Sequence, residues 1–142
     1  MIRFDGIYLA EPLETYDARS KNQESFFCFN AYRFFQDHRI SITMKHDFIW
    51  NIQDFGKNDF SGEKAEHKRY SVNQSLVVIH KERSYQRDIE LQIRNPEELY
   101  VRFSKKTLFF VSWEEIESSE NVFLHDFLDR FDRNKLEKKS LS

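Results

Sequence analysis

Between residues 85 and 95 the chain alternates between apolar and polar side chains. Tyr85, Ile89, Leu91 and Ile93 fall on one side, with Arg87 as the one departure, and Gln86, Asp88, Glu90, Gln92 and Arg94 fall on the other. A repeat of two is the mark of a strand with one dry face and one wet face, because successive side chains leave a strand on opposite sides. Residues 39–45 do the same, with Ile40, Ile42 and Met44 against Arg39, Ser41, Thr43 and Lys45. Just upstream, residues 25–35 are apolar on both sides: Phe26, Cys28, Tyr32 and Phe34 oppose Phe27, Phe29, Ala31 and Phe35. A strand of that kind is covered on both faces, or bent so that each half buries a different one. Gln36-Asp37-His38 joins these two segments as a hairpin. Further strands are predicted at 4–10, 67–72, 75–81, 99–104 and 107–113, with turns at Asn73-Gln74, Asn95-Pro96-Glu97 and Lys105-Lys106. Residues 11–24 and 57–66, polar and punctuated by Pro12 and Gly62, read as loops.

The period changes twice. Phe48, Ile49, Ile52 and Phe55 are spaced as on a helix, Asp47 can cap its start and Gly56 stands where it would stop, so a short helix is predicted over 47–55. After the acidic segment Glu114-Glu115-Ile116-Glu117, the stripe Phe123, Leu124, Phe127, Leu128 and Phe131 predicts a C-terminal helix over 119–131. The stripe ends there, and 132–142 reads as a flexible tail. Short connections favour antiparallel neighbours. The expected fold is therefore mainly β: an up-and-down meander of about eight strands forming a small barrel or half-barrel, one domain over 1–131, with one helix inserted and one at the C-terminus.

Composition narrows this picture. The chain has 142 residues, enough for a core without metal or disulfide support. Its 15 Phe, 6 Tyr and 2 Trp favour pleated surfaces, and with only 3 Gly and 2 Pro the turns fall to Asn, Asp, Ser and Lys. A formal net charge of −2 implies no general attraction to nucleic acid or anionic membrane. The single cysteine, Cys28, fits a reducing compartment. No apolar signal core opens the chain, and the runs at 76–79 and 108–111 are only four residues long, far short of a span. A cytoplasmic location is expected.

The opening Phe4-Asp5-Gly6-Ile7-Tyr8 resembles the first strand of the calycin group, the lipocalins and fatty-acid-binding proteins, which carry Gly-x-Trp after an aromatic residue. Tyr8 stands in the place of the Trp. The resemblance implies an Arg from a late strand lying across that ring, and Arg102 is the candidate; a helix after the last strand also follows the lipocalin order. The segment Tyr32-Arg33-Phe34-Phe35-Gln36-Asp37-His38-Arg39-Ile40 is similar to a hairpin of many short bacterial proteins, with His38 in place of the turn glycine.

Candidate chemistry is sparse. His38, His46, His67, His80 and His125 lack the paired spacing of zinc sites, and His125, Asp126 and Asp129 read as a solvated helix face. Cys28, between Phe27 and Phe29, reads as a buried inert thiol rather than a nucleophile. Glycines at 6, 56 and 62 make no phosphate-cradling loop. No metal, no cofactor and no catalytic residue is therefore assigned, and the balance leans away from an enzyme. Basic residues Lys64, His67, Lys68, Arg69, Lys81, Arg83 and Arg87 accompany Tyr70 and Tyr85. Glu63, Glu66, Glu82 and Asp88 interrupt them, and no nucleic-acid partner is expected. The aromatic excess suits a packed core or a ligand-lined interior; Tyr8, Phe34, Tyr85, Arg87, Tyr100, Arg102 and Phe103 are the candidate lining or plug. Trp50 and Trp113 are candidate anchors for a protein partner. The first expectation is a non-enzymatic binder of a small apolar ligand or a peptide. The alternatives are an interaction module, such as an immunity protein or an inhibitor of a bacterial or phage factor, and an enzyme whose site one sequence does not reveal.

Overall fold

The computed structural model describes residues 1–10, 13–16, 25–46, 55, 60 and 65–118. Along them run β1 (Gly6–Ala10), β2 (Leu13–Tyr16), β3 (Ser25–Phe34), β4 (Arg39–His46), β5 (Glu66–Asn73), β6 (Leu76–Ile79), β7 (Ile89–Asn95), β8 (Glu98–Val101), β9 (Lys106–Ser112) and α1 (Trp113–Ser118). From β3 to β9 each strand pairs antiparallel with the next. β1 then pairs with β9 from Gly6↔Ser112 to Ala10↔Leu108, and with β3 at Tyr8↔Tyr32 and Leu9↔Ala31. These two ladders close eight strands into an antiparallel barrel, the fuller of the two expected forms.

β2 lies outside the closure. It pairs with the first half of β3, from Leu13↔Cys28 to Tyr16↔Ser25, one residue out of step with the β1–β3 register. Part of the loop expected at 11–24 is thus a strand. Pro12 and the flanking polar residues hide it in the sequence, but the first half of β3 reaches beyond β1 and supplies a partner. β7 is also shorter than the alternation suggests. Residues 81–88 form a looped connection held by side chains: Asp88 Oδ1 accepts from the Lys81 amide at 2.8 Å, and Gln86 Oε1 accepts from the Glu82 and Arg83 amides at 3.2 Å each. Such local bonds compete with a ladder, so the repeat at 85–88 does not make a strand.

Parity along the strands sorts the core in two. Tyr8, Ala10, Phe34, Ile40, Tyr70, Val77, Ile79, Leu91, Leu99, Leu108 and Phe110 fill the barrel. Ile7, Leu9, Phe29, Ala31 and Val111 leave the same wall outward and pack with Phe55, Phe60 and Ile116, flanked by Phe109 and Trp113. At these positions the β9–β1–β3 wall is therefore dry on both faces, which explains the unbroken apolar run Leu108–Val111 in β9. β7, wet outside, alternates.

α1 starts at Trp113, where the Ser112 hydroxyl caps the helix by accepting from the Glu115 amide at 3.1 Å. The helix predicted over 119–131, the tail at 132–142 and the helix predicted over 47–55 lie outside the described residues, except that Phe55 is fully buried in the outer cluster. The side chain of Cys28 is likewise outside them.

Three tight turns use non-glycine residues at positive φ: His38 at 68°, Gln74 at 56° and Lys105 at 57°. One glycine is needed for a different reason. A β-carbon on Gly6 would collide with the Val111 carbonyl oxygen and come within 2.7 Å of the Phe110 ring. Gly6 lets β9 and the Phe110 ring come close to β1. Gly6→Ala is expected to destabilise the barrel by about 1–3 kcal/mol or more, as overpacking does; urea unfolding of both proteins measures it.

Candidate functional site

The two ends of the barrel differ in chemistry. At one end, the rings of Phe110, Tyr8, Phe34 and Tyr70 make a chain of edge-on contacts, with centroids 5.2, 5.6 and 4.9 Å apart. Both phenols are tied at their tips. Tyr8 Oη donates to the Pro96 carbonyl at 2.6 Å and accepts from the Arg3 amide at 2.9 Å. Tyr70 Oη donates to the Phe35 carbonyl at 2.6 Å. Arg3 lies over the Phe110 ring at 4.1 Å and pairs with Asp5 at 2.6 Å and Glu97 at 3.1 Å. These contacts form a floor beneath the interior. Burial pushes the Tyr8 phenol up to about 12, against the opposing pull of the Arg3 amide bond and cation.

Tyr8 and Phe34 thus lie in the barrel as expected, in its floor. Arg102 does not lie across Tyr8: it is exposed and pairs with Glu90 at 3.3 Å on the outside. Arg3, which precedes the first strand, supplies the cation at the floor instead.

The opposite end holds a cavity of about 400 Å³. It lies where β1 ends at Ala10, β8 ends at Val101, β7 begins at Ile89 and β9 begins at Lys106. Ala10, Tyr32, Ile89, Val101 and Leu108 give it apolar walls, and Asn30, Arg87, Asp88, Ser104 and Lys106 bring polar groups. Ala10 is the small residue that leaves space at the level where Tyr8, one strand repeat below, fills it. Phe103 is 83% exposed and also borders the cavity, with the Arg87 guanidinium 5.4 Å from its ring centre. Asp88 is anchored by the Lys81 amide. Burial, reinforced by Glu66, raises the Tyr32 phenol above its ordinary range.

Of the predicted lining residues, Arg87 and Phe103 meet at this mouth. Tyr85 does not line it: it is 74% exposed in the 81–88 connection, where its hydroxyl accepts from Arg83 at 3.1 Å. Tyr100 faces outward between Leu99 and Val101, with the Arg94 guanidinium 4.2 Å from its ring centre. Trp113 packs with Phe60 at 6.0 Å and with the Arg33 guanidinium at 5.2 Å, inside the outer cluster rather than free on the surface. Trp50 lies outside the described residues. The small and polar lining residues Ala10, Asn30, Asp88 and Lys106 escaped sequence reasoning. The inward parity of 10, 30 and 106 in their strands was the available signal.

Among the described residues, no three His, Cys, Asp or Glu side chains converge as metal ligands, and no helix is long and apolar enough to cross a membrane. Comparison with protein-family models, curated proteins and solved structures finds no match to this chain.

The floor predicts a response to alkali. The folded Tyr8 phenol, near 12 against an ordinary value near 10, favours the neutral ring. Its contribution is complete below about pH 10 and is lost as pH rises towards about 12, on the order of 2–3 kcal/mol in all. Tyr8→Phe is expected to cost about 1 kcal/mol at neutral pH, through two broken hydrogen bonds, and to flatten the alkaline decline. Tyr32 and Tyr70 are raised in the same direction and preserve part of the slope. Denaturant midpoints from pH 8 to 12 test this; parallel curves for the two proteins would contradict it.

Proposed function

We propose that the barrel binds a small, mainly apolar molecule, or the apolar end of a peptide, in the mouth cavity without converting it chemically. The observation behind this is the unequal filling of the interior. Aromatic rings occupy the floor end, whereas Ala10, Ile89, Val101 and Leu108 leave about 400 Å³ at the mouth. A cavity of this size, with apolar walls and a few polar groups at one side, is suited to a small organic ligand. Its apolar part would rest on Ile89, Val101 and Leu108, and its polar end would meet Arg87, Lys106 and Asn30. The exposed Phe103 ring gains most by covering a bound apolar surface, since it is otherwise left in water. A closed antiparallel eight-stranded barrel is also compatible with the calycin resemblance, although Arg102 does not take the position that resemblance implies.

Binding of a naphthalene-sulfonate dye provides the test. Ala10→Phe, which fills the mouth, is expected to weaken dye binding by about tenfold or more while the barrel stays folded. Arg87→Gln is expected to weaken the sulfonate dye more than an uncharged naphthalene. Dye fluorescence unaffected by either substitution would refute the proposal, and native mass spectrometry checks for a co-purifying ligand.

A further inference from the structure

Away from the mouth, three adjacent strands carry a row of basic side chains on the outer surface. Arg39 of β4 is the direct partner of Arg69 of β5. The Arg69 carbonyl accepts from the His80 amide at 2.8 Å, which places His80, just past β6, on the other side of Arg69. Their sequence neighbours Ile40, Tyr70 and Ile79 fill the barrel, so the pleat turns this row outward. Lys81 and His67 flank the row, and with Glu82 they border a groove of about 360 Å³ that shares no lining residue with the mouth.

The row has an energetic peculiarity. Like charges directly opposite each other on an antiparallel pair have β-carbons about 4.5–5.5 Å apart and destabilise the ladder. Asp37 offsets Arg39, with its carboxylate 2.6 Å from Nε. Arg69 and Lys81 have no such partner: among the described residues neither side chain forms an ion pair, and Glu82 does not reach them. Lys68 also borders the groove, but its side chain is largely buried and its ammonium pairs with Glu66 at 3.1 Å. Among the described residues, the groove therefore presents one guanidinium and one ammonium outside any ion pair, beside Arg39 and two imidazoles, with Glu82 as the one carboxylate on its border.

We propose that this outer groove binds a small phosphate-bearing molecule. A phosphate ester carries nearly two charges at neutral pH and three acceptor oxygens, where a carboxylate carries one charge and two oxygens. The guanidinium fork of Arg69 accepts two of those oxygens side by side, and Lys81 contributes a mobile point charge. The bound anion also separates the opposed Arg39 and Arg69 charges electrostatically. This site shares no lining residue with the mouth, and the proposal holds whether or not the mouth binds an apolar ligand.

Pyrophosphate is the probe, titrated into the full chain and followed by amide and arginine side-chain NMR, with sodium chloride at matched ionic strength as control. The expected result is saturable shifts confined to Arg39, His67, Arg69, His80 and Lys81. Arg69→Gln and Lys81→Gln, both at exposed positions, are each expected to raise the dissociation constant about tenfold, and Arg87→Gln at the mouth is expected to leave it unchanged. Three results would overturn the proposal: shifts reproduced by chloride, shifts spread over basic residues all around the barrel, or saturation by oligothymidylate but not by pyrophosphate. An unchanged amide spectrum away from the groove shows that the variants remain folded.

Discussion

The barrel rests on two buried phenols. Tyr8 and Tyr70 put their rings inside and must satisfy their hydroxyls there, because an unpaired buried hydroxyl costs free energy. Each finds a backbone carbonyl in or beside a turn, Pro96 for Tyr8 and Phe35 for Tyr70. Those two bonds draw the β3–β4 and β7–β8 turns beneath the same end of the barrel. Phe34 fits between the rings and Phe110 backs them, so that end is packed. Gly6 belongs to the same arrangement, since only the absence of its side chain lets Phe110 lie against β1.

With one end packed, the other end acquires its character by contrast. The inward positions there carry alanine, asparagine and lysine beside Tyr32, and they leave about 400 Å³ unfilled. The asymmetry comes from residue size and charge and needs no change in strand number. The wall of β9, β1 and β3 is thickened by a second apolar layer outside, whereas the walls formed by β5 and β7 expose polar faces to water. The basic groove lies on the β4–β6 side of the barrel, away from that second layer.

Much of this architecture was legible in the chain. Alternation located β4 and most of β7, the turn residues placed the hairpins, and the two-sided apolar reading of β3 anticipated the burial of Phe29 and Ala31 on one face and Phe34 on the other. The failures were local. At 85–88 the alternation was real, but Asp88 and Gln86 spent their side chains on backbone amides and held a loop instead. β2 was invisible because its own four residues, next to Pro12 and among polar neighbours, carry no clear alternation, and it forms only by pairing with the first half of β3. The site was less legible than the fold. Large and charged residues attract attention in a sequence, and Arg87 and Phe103 were found that way. A cavity, however, is made by what is small, and nothing in the letter at position 10 announces that alanine stands among rings. Arg102 was assigned to the floor by analogy of order, whereas Arg3 occupies it by proximity.

The closing strand also sets an order of events during synthesis. β1 is made well before its five-residue partner, Leu108–Ser112 in β9, from which it is separated by roughly a hundred residues. At about 5–20 residues per second, that edge of β1 waits on the order of 5–20 s for its ladder. Ile7, Tyr8 and Leu9 spend that interval with open hydrogen-bonding groups and apolar side chains, the features that recruit foreign strands. β3 emerges sooner but pairs with only two residues of β1. Closure of the barrel is therefore a late, long-range step, and until then the nascent chain is open to misassociation at a strand that ends up wholly buried.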